Sequence, residues 1–200
     1  MFADCLRLKL AGAVELTAEQ IAILEAHYEL LGRWNRILNL TRIDSMEAGI
    51  ERHYAESLFL GAHLPRRPLL VVDVGSGAGF PGIPVAVLRP DCSVTLVESH
   101  RRKAVFLREA TRRLSNVVVR AERAEDLRER FDCAVSRAVS YGDLVPALRK
   151  LADAAELLTG VEPPPAALGF RWSPPIRLPW GKNRFLRISD PAPLGSVCFT

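Results

Sequence analysis

Apolar residues recur at helical spacing through the first third of the chain and in short blocks thereafter. Ile21, Leu24, Tyr28, Leu31 and Leu38 mark the inward stripe of a helix over 18–39. The capping-box sequence Thr17-Ala18-Glu19-Gln20 announces its start. A second helix is predicted from Asp44 or Ser45 to Leu64, with Ile50, Tyr54, Leu58 and Phe59 inward. Pro65 to Pro68 then breaks the chain. Beyond Leu69 the apolar runs predict strands at 69–74, 93–98, 116–120 and 132–136. Helices are predicted between and after them at 82–89, 100–114, a short one near 124–130, and 142–153. Strands separated by helices of this length form βαβ units around a parallel sheet. The predicted fold is therefore α/β and Rossmann-like, with residues 1–66 as a helical cap on a core of 67–200. Six prolines between 163 and 179 exclude a helix interior or central strand there. Residues 168–172 and 183–189 are expected to pair as an antiparallel hairpin at the sheet edge.

The first predicted strand runs into Asp73-Val74-Gly75-Ser76-Gly77-Ala78-Gly79-Phe80-Pro81-Gly82. A strand, a glycine turn and a helix start bring backbone N–H groups and a positive dipole end against a ligand. Gly77 to Gly82 satisfies G-x-G-x-x-G, and Glu98 stands where a ribose-binding acid belongs, so a dinucleotide fits the pattern. Read one step earlier, the stretch is acid-x-G-x-G-x-G. A carboxylate at the strand tip repels a pyrophosphate but suits an ammonium and a sulfonium. Asp73 thus tilts the reading from NAD to S-adenosylmethionine.

Composition narrows the setting. Hydrophobic residues make up 48% of the 200 and charged residues 25%, as in an ordinary globular protein large enough for one core. No apolar stretch approaches membrane-helix length, and Met1 to Leu10 lacks the apolar core of a secretion signal, so a cytoplasmic protein is expected. Cys5, Cys92, Cys133 and Cys198 are scattered and form no CxxC pair, which fits a reducing compartment and no metal site. Four lysines stand against twenty-three arginines within a net charge of +4. Arginine suits phosphate recognition, although genomic codon bias explains the ratio equally well.

Several motifs occur together in one order: Asp73 to Pro84, Leu96-Val97-Glu98-Ser99, Lys103 with Phe106-Leu107, Arg123-Ala124-Glu125, and Ser136-Arg137-Ala138. Upstream stand Trp34-Asn35, Asn39-Leu40-Thr41, and Arg52-His53 with Glu56-Ser57-Leu58. Over about residues 28 to 158 the chain resembles the bacterial RsmG (GidB) family, which methylates N7 of a guanine in 16S ribosomal RNA. The resemblance implies an S-adenosylmethionine-dependent methyltransferase fold, with 16S RNA or the 30S subunit as partner. It assigns Gly75, Gly77 and Gly79 to close approach of the cofactor's methionine part, and Phe80 to an apolar contact there. It likewise gives Glu98 to the ribose hydroxyls, Ala124 and Glu125 to the adenine, and Arg137 to both the cofactor and the target base. Asn39 and Arg52 of the cap are expected to help Arg137 hold the nucleotide. His53 reads as an interface residue rather than a catalyst, and a monomer is expected.

Guanine N7 has a free lone pair and loses no proton on methylation, so no general base is required, and none is identifiable. Catalysis then rests on positioning two reactants in line. The family's Leu-Lys-Gly has a counterpart in Leu158-Thr159-Gly160, where threonine replaces the cation. That departure leaves open a cofactor-binding paralogue with an altered or lost RNA substrate. The cations of the 100–114 helix do not fall on one stripe, so a solvated face is the default reading there, with RNA contact the alternative.

Overall fold

A computed structural model describes residues 1–42 and 45–190. Asp44 and Cys198 therefore lie outside the described residues. Seven strands form one sheet in the order β3-β2-β1-β4-β5-β7-β6. Their bounds are β1 Leu70–Val74, β2 Ser93–Val97, β3 Val117–Arg120, β4 Phe131–Arg137, β5 Ala152–Thr159, β6 Ile176–Arg177 and β7 Phe185–Ile188. Strands β1 to β5 pair in parallel, and β7 runs antiparallel to both β5 and β6. The central strands are apolar because both faces are covered: Val71, Val72, Leu96 and Ala134 are all buried.

One face carries α1 (Phe2–Leu10), α2 (Ala18–Leu38), α3 (Met46–Gly49), α4 (Glu56–His63), α5 (Gly82–Leu88) and α6 (Arg101–Ala110). The other carries α7 (Tyr141–Leu144) and α8 (Leu148–Leu151). Thr17 caps α2 as the sequence indicates, accepting from the Gln20 backbone while the Gln20 side chain accepts from Thr17 N–H. The stripe on α2 is centred on Ile21, Leu24, His27, Leu30 and Leu31, with Tyr28 and Leu38 at its margin. Met1 to Leu10, read only as lacking a signal, forms helix α1, and its Phe2, Leu6 and Leu10 join the core.

Four local expectations are corrected. The helix at 142–153 is two short helices followed by strand β5 from Ala152. Ala152-Asp153-Ala154-Ala155 carries helical propensity, but parallel pairing with Phe131 to Val135 overrides it. The predicted second cap helix is a helical run whose middle, Ile50–Ala55, widens to π geometry. The short helix near 124–130 is a single 3₁₀ turn, Ala124–Asp126. The partner of β7 is Ile176–Arg177, while 168–172 contributes only a bridge from Trp172 to Ser189. Pro174 and Pro175 separate the two stretches and delay the strand.

Candidate cofactor cleft and arginine wall

The carboxyl ends of β1, β2 and β4 meet at a cleft of about 270 Å³. Open α/β sheets bind ligands at this edge, where helices diverge to either face. Its first wall is backbone. Gly75, Gly77 and Gly79 have φ of 75°, 54° and 89°, in the left-handed region that favours glycine. A Cβ on Gly75 would lie 2.5 Å from Val139 Cγ2, so this glycine also permits close packing. A Cβ on Gly77 would meet Gly75 O at 3.8 Å, an ordinary contact without a clash.

Glu98 spans this wall. Its Oε2 accepts Gly77 N–H at 2.9 Å and its Oε1 accepts His100 N–H at 2.8 Å. Each oxygen keeps a second lone pair for a ligand hydroxyl. Asp73 lies beneath the turn, fully buried, with Oδ2 accepting Gly82 N–H at 3.0 Å and Oδ1 without a hydrogen-bond partner. Burial pushes its pKa up to about 7, against the opposing effect of the Gly82 hydrogen bond. Ala124 and Glu125 line the opposite lip with Val139 and Asp143, and Glu125 is ion-paired to Arg123. Val139 and Asp143 belong to the cleft yet are absent from the residues singled out by sequence, and Ser99 was named there only as part of a motif.

Phe80 does not line this cleft. It is buried in an aromatic cluster, stacked on His53 at 4.6 Å between centroids and edge-on to His27 and Tyr54. The Phe80–Pro81 peptide is cis.

A second wall, beside the cleft and not among the residues that line it, is built from side chains. Arg137, at the end of β4, is mostly buried and donates through Nη1 to His53 Nδ1 at 2.6 Å. His53 Nε2 lies 2.8 Å from Thr41 Oγ1, so with Nδ1 accepting, Nε2–H donates. Thr41 is tied to Asn35 by two bonds, Thr41 N–H to Asn35 Oδ1 and Asn35 Nδ2 to Thr41 O. Desolvation, and secondarily the Arg137 charge, hold His53 down to about 3. Glu56, 2% exposed, accepts two hydrogen bonds from Arg184, the residue before β7, at 3.0 and 2.6 Å, and its Oε2 lies 3.8 Å from Arg137 Nε. Burial lowers Arg137 to about 10, and Glu56 opposes that shift. His27 is a separate neutral imidazole, at about 4 through desolvation, bridging Tyr54 OH and Ala78 O at the turn.

The structure thus brings Gly75, Glu98, Ala124 and Glu125 together around the cleft, with Gly77 tied to Glu98 on the turn above it. Asp73 sits beneath that turn, and Arg137 stands in the adjoining wall. Asn39 is the exposed left-handed residue after α2 (φ 47°), and Arg52 is exposed one residue before His53, on a groove with Lys9, Glu51 and Trp180. Reasoning from sequence placed Glu56 in the Glu56-Ser57-Leu58 motif without giving it a role, and no local signal marks Arg184. Near Thr159, a guanidinium comes from across the hairpin: Arg187 Nε lies 3.4 Å from Thr159 Oγ1 and its Nη2 donates to Val161 O.

The parallel β3-β2-β1-β4-β5 core with antiparallel β7 defines a Rossmann-like methyltransferase fold. A solved structure of a SAM dependent methyltransferase from Aquifex aeolicus is similar in fold, with TM-score 0.56 and 15% identity over 76% of this chain and 96% of that one. The chain belongs to the GidB family, since the family model described as rRNA small subunit methyltransferase G matches residues 20–157. Among curated relatives, the ribosomal RNA small subunit methyltransferase G of Halorhodospira halophila is 42% identical over 142 residues, covering 69% of this chain and 67% of that protein. That of Nitrosomonas europaea is 45% identical over 118 residues, covering 57% of this chain and 54% of that protein. The chain therefore matches from about half to two thirds of the length of these relatives.

Proposed function

We propose that this protein transfers a methyl group from S-adenosylmethionine to N7 of a guanine in 16S ribosomal RNA, acting as a cytoplasmic monomer. The observation that carries the reading is the glycine turn bonded to Glu98 beside a guanidinium wall. One side offers backbone and carboxylate, the other a fixed positive charge for a nucleotide. The residues fit the cofactor. Glu98 has lone pairs for two ribose hydroxyls, and buried Asp73 keeps an orphaned oxygen beneath the turn. When bound, the cofactor supplies a methyl group on a positively charged sulfur.

The chain's own part is placement. Guanine N7 attacks with its own lone pair, so no residue has to take a proton. That agrees with His53 and His27 both being neutral and bonded at both ring nitrogens. Arg137, held by His53 and Glu56, presents its guanidinium in a fixed direction, and such fixed placement is where catalysis by proximity gains its rate. Glu56 offsets the repulsion between that cation and a guanine that becomes positive as the bond forms. Among the described residues no helix is long and apolar enough to cross a membrane.

The direct test combines calorimetry with S-adenosylmethionine against NADH and an assay for N7-methylguanine in 16S RNA from a deletion strain with and without this gene. Selective S-adenosylmethionine binding and restored methylation are expected. NADH binding, or methylation that is not restored, would sink the reading.

A further inference from the structure

We propose that the seam between α2 and α6 is the docking track for the RNA backbone, its phosphates held by arginines that these two helices leave unpaired. This rests on the RNA reading above and extends it beyond the cleft. Several arginines elsewhere on the surface are matched to carboxylates, Arg67 to Asp132, Arg89 to Asp91, Arg120 to Glu129, Arg130 to Asp153 and Arg171 to Asp190, while Arg42, Arg52, Arg66, Arg128 and Arg177 stand exposed on separate segments. The seam is different. Arg33 and Arg36 of α2, Arg101, Arg102 and Arg108 of α6, and Arg113 in the turn after it are exposed. Among the described residues none of the six has an ion pair or a side-chain hydrogen bond.

The local geometry concentrates these charges. Arg101 and Arg108, seven residues apart, share one face of α6. Arg102 shares the adjoining face with Phe106 and Glu109, and that face meets α2, where Trp34 packs edge-on to Phe106 and donates to Glu109 at 3.1 Å. The arginines of α6 therefore occupy two neighbouring faces, Lys103 lies on a third, and Arg33 and Arg36 stand exposed on α2 about 100° and 160° round that helix from Trp34. Glu109 is occupied by the indole and pairs with none of them.

The seam reaches both walls of the cleft. His100, immediately before α6, gives its N–H to Glu98. Asn35, beside Trp34, begins the chain through Thr41 and His53 to Arg137. A strand of phosphates lying along the seam is thereby led to the cleft. A membrane surface fits less well, because Ala104, Phe106 and Leu107 of α6 face the core. Val105 and Ile37 are the large apolar residues exposed there.

The test uses the full chain with 30S subunits lacking the modification. The triple variant Arg102→Glu, Arg108→Glu, Arg113→Glu is expected to raise KM for the subunit at least tenfold, with kcat within about twofold. Its dependence of log affinity on log salt should flatten by about two to three, roughly one for each phosphate that is no longer neutralised. Calorimetric affinity for S-adenosylmethionine and the thermal midpoint should match wild type, which excludes misfolding. Arg171→Glu, on the paired surface, should leave KM unchanged. An unchanged KM and salt slope in the triple variant would overturn the seam while leaving the methyltransferase reading intact. If the wild type transfers no methyl group, that reading falls, and filter retention of 16S RNA still decides the seam by the same slopes. Binding to phosphatidylserine vesicles that the triple variant loses while retaining RNA would also overturn it.

Discussion

The two walls of the cleft are made in opposite ways. The turn wall is contiguous backbone, tied to Glu98 across 21 residues and, through Ala78 O, to His27 across 51. The arginine wall is assembled from side chains of distant segments: Arg137 meets His53 across 84 residues, and Arg184 meets Glu56 across 128. One wall survives as long as its dihedrals do, whereas the other survives only if cap, β4 and the terminal hairpin are docked together. The walls should therefore fail differently.

Removing Glu56 is the most damaging way to probe the second wall. Its carboxylate lies between two guanidiniums, and stripping one partner from a buried charge cluster costs about 3–5 kcal/mol. Glu56→Ala should show this loss in urea unfolding. S-adenosylmethionine affinity, measured where the variant remains folded, should change by less than about threefold. A large loss of cofactor affinity would show that the walls are one unit. Adding Arg184→Ala should recover part of the stability, because one orphaned cation then disappears.

The first wall should break at Gly75. Alanine there adds left-handed strain of about 1–2 kcal/mol to a clash with Val139, a stiff β-branched neighbour 2.5 Å from the new Cβ. Overpacking of that kind adds about 1–3 kcal/mol, for a total of about 2–5. Gly77→Ala carries only the dihedral strain, since its Cβ would make no closer contact than 3.8 Å to Gly75 O. Stability should fall in the order Gly77→Ala, then Gly75→Ala, while cofactor affinity falls sharply in both. Thermal unfolding and calorimetry on the pair of variants separate the two effects.

The same contrast explains what could be read in the sequence. Asp73 to Gly82 was legible because every constraint on it is local: an apolar strand, glycines at positive φ, and a helix start. Arg137 was legible as a strand-end cation, and Glu98 as a strand-end acid. The partnership of Glu56 with Arg184 was not, because a glutamate in a helix and an arginine just before a terminal strand look like surface residues until 128 residues of chain fold between them. The wrong helix at 142–153 has the same cause, since only pairing with β4 makes Ala152 to Ala155 a strand. Thr159 misled in the other direction: the cation missing from its own position in the chain is brought nearby by Arg187 of β7.

Glu156 sharpens the comparison, for it is a buried glutamate without the arginines that Glu56 has. It is 3% exposed on β5, its Oε2 has no partner, and burial pushes its pKa up to about 8. With the folded pKa above the unfolded value, the native state holds a proton that the unfolded chain releases. Stability therefore falls as pH rises from the unfolded pKa toward about 8. Asp73, near 7, acts in the same sense. His27 and His53, depressed to about 4 and 3, act oppositely, but only below their unfolded value of 6.5. Between pH 6.5 and 8 the carboxyls dominate, and wild-type stability should drop by about 2 kcal/mol. Glu156→Gln should remove most of that drop in urea unfolding at pH 6.5 and pH 8. An equal drop in the variant would show that Glu156 does not carry it.

The smallest effect lies where the two walls join. Ala138 has φ of 58°, a left-handed position held by a non-glycine residue. Its neighbours diverge from it: Arg137 turns toward His53 and Glu56, while Val139 packs over Gly75. The unusual dihedral is thus what lets one short stretch serve both walls, and strain held this way points to function. Glycine at 138 would relieve about 1 kcal/mol of left-handed cost and lose about 0.5–1 kcal/mol through the freer unfolded chain. Ala138→Gly should accordingly change stability by less than about 0.5 kcal/mol in urea unfolding. Ala138→Val, β-branched at a positive φ, should cost about 1–2 kcal/mol or more. If valine were tolerated as well as glycine, the left-handed turn would not be what divides Arg137 from Val139, and the walls would have to be oriented by their side-chain partners alone.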